Sequence, residues 1–167
     1  KPSPPRGEKW LHEIKFDGYR LQARIDHGAV RLLTRSGLDW TAKFGDAILD
    51  ALKALPVSEA LIDGEVVVEK ASGSSDFSLL QQDLSEGRKD RFTFYAFDLM
   101  HLDGHDLCPS PLEERKALLE KLLPAATPAL RYSEHFGESG DLVLEHACRL
   151  SLEGVVSKDR TGKYVSG

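Results

Sequence analysis

The segment Glu13-Ile14-Lys15-Phe16-Asp17-Gly18-Tyr19-Arg20 sets a lysine between two acids, with a glycine and an arginine close behind. On an extended strand Glu13, Lys15 and Asp17 project to one side. A surface ion pair explains that spacing; so does a nucleophile. A free lysine has a pKa of about 10.4 and is almost wholly protonated at neutral pH, so it cannot attack an electrophile. It has to be desolvated, or set among other cations, before it loses its proton. Nearby arginines or a metal ion would serve. Gly18 then permits a sharp turn, or the close approach of a ligand to the backbone.

Four further stretches carry residue types that complement such a lysine. Thr34-Arg35-Ser36-Gly37 supplies a second arginine, and Ile62-Asp63-Gly64-Glu65 ends on an acid. Phe94-Tyr95-Ala96-Phe97-Asp98-Leu99 is strongly aromatic, and Glu153-Gly154-Val155-Val156-Ser157-Lys158 brings an acid and a lysine together. In this order, after Lys15-x-Asp17-Gly18-x-Arg20, they resemble the motif series of the covalent nucleotidyltransferases. These are the ATP-dependent DNA ligases, the RNA ligases and the mRNA capping enzymes. The resemblance spans residues 10–167. Phe16 and Tyr19-Arg20 look like the DNA ligase form of the first motif. Residues 10–20 and Pro111-Leu112-Glu113-Glu114-Arg115-Lys116 are similar to the ligase domain of bacterial DNA ligase D, an end-joining enzyme.

The resemblance implies a reaction in steps. Lys15 attacks the α-phosphate of ATP and releases pyrophosphate, AMP passes to the 5′-phosphate at a DNA nick, and the 3′-hydroxyl expels it. Lys15, Asp17, Arg20 and Lys158 are then the expected catalytic residues. Glu13 would accept a bond from the adenine amino group, Phe97 would stack on the base, and Ile14 and Val156 would line the nucleotide. Arg20 and Arg35 would face phosphates, where a planar guanidinium binds two oxygens at once, and Lys158 would lie near the α-phosphate. Glu65 would contact ribose or metal, and Glu153 the metal. Two acids suit Mg2+ or Mn2+, which take hard oxygen ligands. The implied partners are nicked or broken double-stranded DNA and an end-binding repair protein, for a monomer in a bacterial cytoplasm, close to the nucleoid. An RNA ligase, an mRNA guanylyltransferase or a non-catalytic nucleic-acid-binding module would share much of this pattern.

Hydrophobic periodicity indicates what holds these residues in place. Strands are expected at Trp10–Phe16, Tyr19–Ile25 and Ala29–Arg35, with a turn at His27-Gly28, and again at Leu61–Glu69, Phe92–Leu102, Leu130–Phe136 and Val155–Lys158. Helices are expected at Phe44–Leu55, at Asp76–Glu86 with Asp76 as its cap, at Pro111–Leu123 and at Ser139–Leu150. Several strands precede the first helix, and neither a GxGxxG nor a GxxxxGK[ST] loop is present. The order predicts an α+β domain, with mainly antiparallel β-sheets flanked by helices. The resemblance implies the covalent nucleotidyltransferase, ATP-grasp-like, fold.

At 167 residues with 41% hydrophobic and 29% charged side chains, the chain has the composition of a globular domain. No apolar run is long enough to span a bilayer. Cys108 and Cys148 have no metal-ligand spacing and read as reduced thiols. The net charge of −5 argues mildly against a nucleic-acid partner, yet between residues 15 and 35 Lys15, Arg20, Arg24, Arg31 and Arg35 outnumber Asp17 and Asp26. A solvated strand surface explains that excess; so does a phosphate-binding face. Residues 1–9 read as an arm or linker and residues 10–167 as the adenylation domain. Lys163-Tyr164-Val165 looks like the lead-in to the family's lysine-rich closing motif, so a C-terminally truncated domain without its oligonucleotide-binding (OB) partner is expected.

Overall fold

The computed structural model describes residues 8–124, 127–136 and 154–165. Its larger sheet grows from a hairpin. β2 (Tyr19–Asp26) and β3 (Ala29–Leu33) are joined by His27 and Gly28, both at positive φ (49° and 89°), as a tight hairpin turn requires. β4 (Glu59–Val68) pairs antiparallel with β2, and β5 (Phe92–Leu102) with β4. Beyond β5 come the short β6 (His105–Asp106) and, in parallel, β7 (Leu130–Tyr132). A second sheet sets β1 (Trp10–Ile14) between β8 (His135–Phe136) and β9 (Val155–Asp159), antiparallel to both. Apart from the β5–β7 pair, the described strands pair antiparallel, as the sequence predicts.

One face of the larger sheet is apolar. Leu21, Ala23 and Ile25 of β2, Leu32 of β3, Ile62 and Val66 of β4 and Phe94 and Ala96 of β5 are buried. They share a core with Ile48 and Leu52 of α1 (Asp46–Lys53) and Leu80 of α2 (Phe77–Glu86). Each large side chain so buried stabilises the fold by about 1.5–3 kcal/mol. The alternate residues of β2, Arg20, Gln22 and Arg24, point the other way. Asp76 caps α2 as predicted, its carboxylate accepting from the Leu79 N–H at 3.1 Å. The third helix, α3 (Leu112–Leu122), packs on β5.

The structure differs from the periodicity in three places. The helix predicted from Phe44 is a 3-10 turn (Thr41–Phe44) followed by α1, because Gly45 between them lies at φ 79°. The strand predicted over Leu130–Phe136 is two strands in different sheets. After the Ser133 N–H bonds to the Ala96 carbonyl, the chain leaves β5 and crosses to β1. β1 itself stops at Ile14, so Lys15 stands just past its end. The predicted helix over 139–150, Cys148 and Glu153 lie outside the described residues.

Candidate functional site

Between the ends of β1, β2 and β9 and the polar side of β4 and β5 lies a cleft of about 740 Å³. Glu13, Ile14, Lys15, Asp17, Arg20, Glu65, Phe97, Val156 and Lys158 all line it. Four bonded or stacked neighbours pin the loop that carries Lys15. The Lys15 N–H donates to the Gly154 carbonyl (3.0 Å), and the Phe16 ring stacks on Tyr95 at 4.1 Å. The Asp17 N–H donates to Ser75 Oγ and the Gly18 N–H to Glu65 Oε2, each at 2.9 Å. The Lys15 side chain is left exposed to the cleft. Gly18 is required by packing: a Cβ there would sit 2.1 Å from the Val66 carbonyl oxygen of β4.

The charged groups are arranged around that loop. Arg20 makes a two-pronged contact with Asp63 of β4, and the Tyr164 hydroxyl donates to the same carboxylate at 3.2 Å. Burial pushes the Glu65 carboxyl up to about 6; the Gly18 N–H opposes that shift, Asp17 adds to it, and Arg20 and Lys15 oppose it in turn. A half-buried carboxylate whose charge is disfavoured is a hard oxygen donor that a divalent cation would relieve, so Glu65 fits a metal. Its proposed companion, Glu153, is not among the described residues. The described acids and histidines that converge within 4.8 Å, Asp26, His27 and Glu59, are elsewhere, at the far end of β2.

Phe97 lies half-buried on β5, with Lys158 Nζ 4.4 Å and the Arg20 guanidinium 5.5 Å from its ring centroid. Lys158 also reaches Glu13, at 3.1 Å from Oε2. Val156 pairs with Glu13 across the β1–β9 register, which sets both residues at the cleft wall. Arg35 is the exception among the described candidates. It is exposed in the turn after β3, where Thr34 Oγ1 accepts from the Leu38 N–H, and it does not line the cleft.

Several residues given no role from sequence shape the site. α3 buries Arg115 and Lys116. Arg115 grips Asp98 with two bonds (2.8 and 3.1 Å) and donates to the Gly162 carbonyl at 2.9 Å. The carbonyls of Gly162 and Arg160 accept the Leu112 and Glu113 N–H groups, which serves α3 in place of a side-chain cap and seats the 160–165 segment beside the cleft. Arg115 and Lys116 fall at helical spacing between Leu112 and Leu119, so the stripe that buries the two leucines buries them too.

The family model for the ATP dependent DNA ligase domain matches residues 5–167. The chain belongs to this family. Among curated relatives of this ligase domain, it is 44% identical over 164 residues to the multifunctional non-homologous end joining protein LigD of Pseudomonas aeruginosa, covering 98% of the chain and 19% of the relative. It is 39% identical over 163 residues to the multifunctional non-homologous end joining DNA repair protein LigD of Mycobacterium tuberculosis, covering 97% and 21%. The chain thus spans about a fifth of the length of these relatives. A crystal structure of the ligase domain from M. tuberculosis LigD superposes with a TM-score of 0.81 at 38% identity, over 95% of this chain and 50% of that one. A mycobacterial DNA ligase D complexed with ATP and MES superposes at 0.80 with 37% identity and the same coverage. No helix among the described residues is long and apolar enough to cross a membrane.

Proposed function

We propose that this ligase domain attaches AMP to Lys15 and passes it to the 5′-phosphate of nicked or broken duplex DNA, in the service of end joining. The observation that carries the reading is the convergence of Glu13, Lys15, Arg20, Glu65, Phe97 and Lys158 on one cleft. The LigD names of its relatives support the end-joining context.

In the first step Lys15, its ammonium proton given up to solvent, bonds through the Nζ lone pair to the α-phosphorus, and the nitrogen sheds a second proton to leave a phosphoramidate N–H. The bond from that phosphorus to the bridging oxygen breaks, and pyrophosphate leaves with the electrons. Phe97 offers a face to the base and Glu13 an acceptor for its amino group. Lys158 and Arg20 offset the charge that builds on the phosphoryl oxygens, the kind of fixed electrostatic help that lowers such barriers most. Pinning four consecutive residues, Lys15 to Gly18, fixes the backbone from which Nζ reaches into the cleft. Magnesium or manganese, held by Glu65 and Glu153, would supply further charge neutralisation. Arg35, expected to face phosphates of the nucleotide, stands outside the cleft and takes no part in this step.

Intact mass after incubation with ATP and magnesium tests this. The wild-type chain should gain the mass of one adenylyl group, and Lys15→Arg should gain none, because arginine keeps the charge but does not give up its proton. A labelled Lys15→Arg protein, or an unlabelled wild type, would overturn the assignment.

A further inference from the structure

The unused charge in this site is Lys116. Its side chain has no solvent exposure, although it sits on a helix rich in exposed charge. Its ammonium donates to the carbonyls of Phe97 (3.1 Å) and Ser133 (3.2 Å), lies 4.8 Å over the Tyr132 ring, and stands 3.3 Å from Glu13 Oε2. It therefore ties together the residue proposed to stack on the base and the residue proposed to read it.

Glu13 is 2% exposed. Oε1 accepts from Ser133 Oγ at 3.2 Å, while Oε2 faces both ammoniums without an aligned hydrogen bond to either. The two cations are not equivalent. Lys158 is 27% exposed and rests over the Phe97 ring, where a base would stack, so a nucleotide on that face displaces it. Lys116 is fixed by two carbonyls and has nowhere to go. Among the described residues the other titratable groups facing Glu13 are no substitute. Burial favours the neutral form of His135, across from Glu13 on β8, and Tyr132 of β7 carries no positive charge.

We infer that Lys116 is a positioning residue that keeps Glu13 an ionised, acceptor-only carboxylate once a base occupies the cleft, and thereby sets a preference for a 6-amino over a 6-oxo purine. The inference rests on the reading of this cleft as the adenine nucleotide site. Its physical basis is that a buried carboxyl group without a counter-ion takes up a proton. It then becomes a donor, matched to a 6-oxo group rather than to a 6-amino group. Burial also pushes the Lys116 ammonium down, and Glu13 opposes that shift.

The test is the affinity of the chain for ATP and for inosine triphosphate, which differ at the 6-position and in the N1 proton that the 6-oxo base carries. Wild type, Lys116→Met, Glu13→Gln and the double variant are compared. Wild type should favour ATP, and Lys116→Met should lose at least roughly tenfold of that preference, the scale of one charge-assisted hydrogen bond. The double variant should show no further loss beyond Glu13→Gln alone, since Lys116 acts through Glu13. Should Lys116→Met fail to fold, Lys116→Gln carries the comparison, because its neutral amide still donates. If the Lys116 variants weaken ATP and inosine triphosphate equally, if the two substitutions add, or if wild type has no preference, the inference is wrong. A wild type that binds ATP selectively but gains no adenylyl mass would sink the adenylation reading and leave this one standing.

Discussion

Glu65 and Phe97 show how differently two residues of one site can be tested. Glu65 has its folded-state pKa raised to about 6 from the 4.5 of an unburied glutamate, mainly by burial. A raised acid binds its proton more tightly in the folded state, so folding loses stability as pH rises from below 4.5 through 6. Glu65→Gln, which still accepts from the Gly18 N–H, should therefore melt higher than wild type in metal-free buffer above pH 6, and the gap should close as pH falls below 4.5. A gap that widens on acidification would mean that Glu65 is held ionised. Phe97 is a question of area. Phe97→Ala should weaken ATP binding by about 1–3 kcal/mol, the range for stacking on a base, and Phe97→Tyr far less. Titration calorimetry decides it, and no change in either variant would return Phe97 to ordinary packing. Both residues were picked out by their motifs, and both line the cleft. Asp63, inside one of those motifs, was not: its role is to take the Arg20 guanidinium, and no spacing shows which arginine will face it.

At the scale of elements, the glycine of the first motif belongs to β4 as much as to Lys15. With 2.1 Å between an added Cβ and the Val66 oxygen, and 2.9 Å to a Val67 methyl, Gly18→Ala has to push the loop off the strand. Overpacking of this kind costs about 1–3 kcal/mol. For a chain of this size that is a fall in Tm of several degrees, roughly 2–4 °C for each kcal/mol. Thermal unfolding followed by circular dichroism measures it, and a Tm within about one degree of wild type would show that the loop yields freely. The strands were legible where period-two alternation is clean, as in β2, where Leu21, Ala23 and Ile25 alternate with Arg20 and Arg24. They were not legible where the chain changes sheets, since the crossing at Ser133 depends on a hydrogen bond to β5 and on Glu13 of β1. α3 was legible as a helix, but the face it turns inward was not. A Lys- and Glu-rich helix reads as solvated, and the buried charges follow only once Leu112 and Leu119 are recognised as one stripe with Arg115 and Lys116 between them.

Over the whole molecule the question is how a chain of net charge −5 would hold the polyanion proposed as its substrate. The larger sheet turns its apolar face to the core and leaves a polar face that runs outward from the cleft along β2 and β3. On that face Arg24 and Arg31 stand directly opposite each other in register, both exposed, and among the described residues neither has a carboxylate within ion-pair distance. Like charges facing across a strand pair destabilise a sheet, so nothing in the fold itself accounts for the pair. Phosphates of a duplex laid along this face would account for it, each arginine releasing roughly one counterion on contact. The double substitution Arg24→Ser and Arg31→Ser should then reduce the slope of log affinity for nicked DNA against log salt by about 1.8, at about 0.9 per lost contact. The same change should leave Tm unchanged or slightly higher, because the repulsion goes with the charges, and it should leave AMP attachment to Lys15 intact, because neither residue lines the nucleotide cleft. Fluorescence anisotropy over a salt series, with a melting curve and an intact mass on the same preparations, measures all three. A salt slope indistinguishable from wild type would place the DNA on another surface and leave the arginine pair without an explanation.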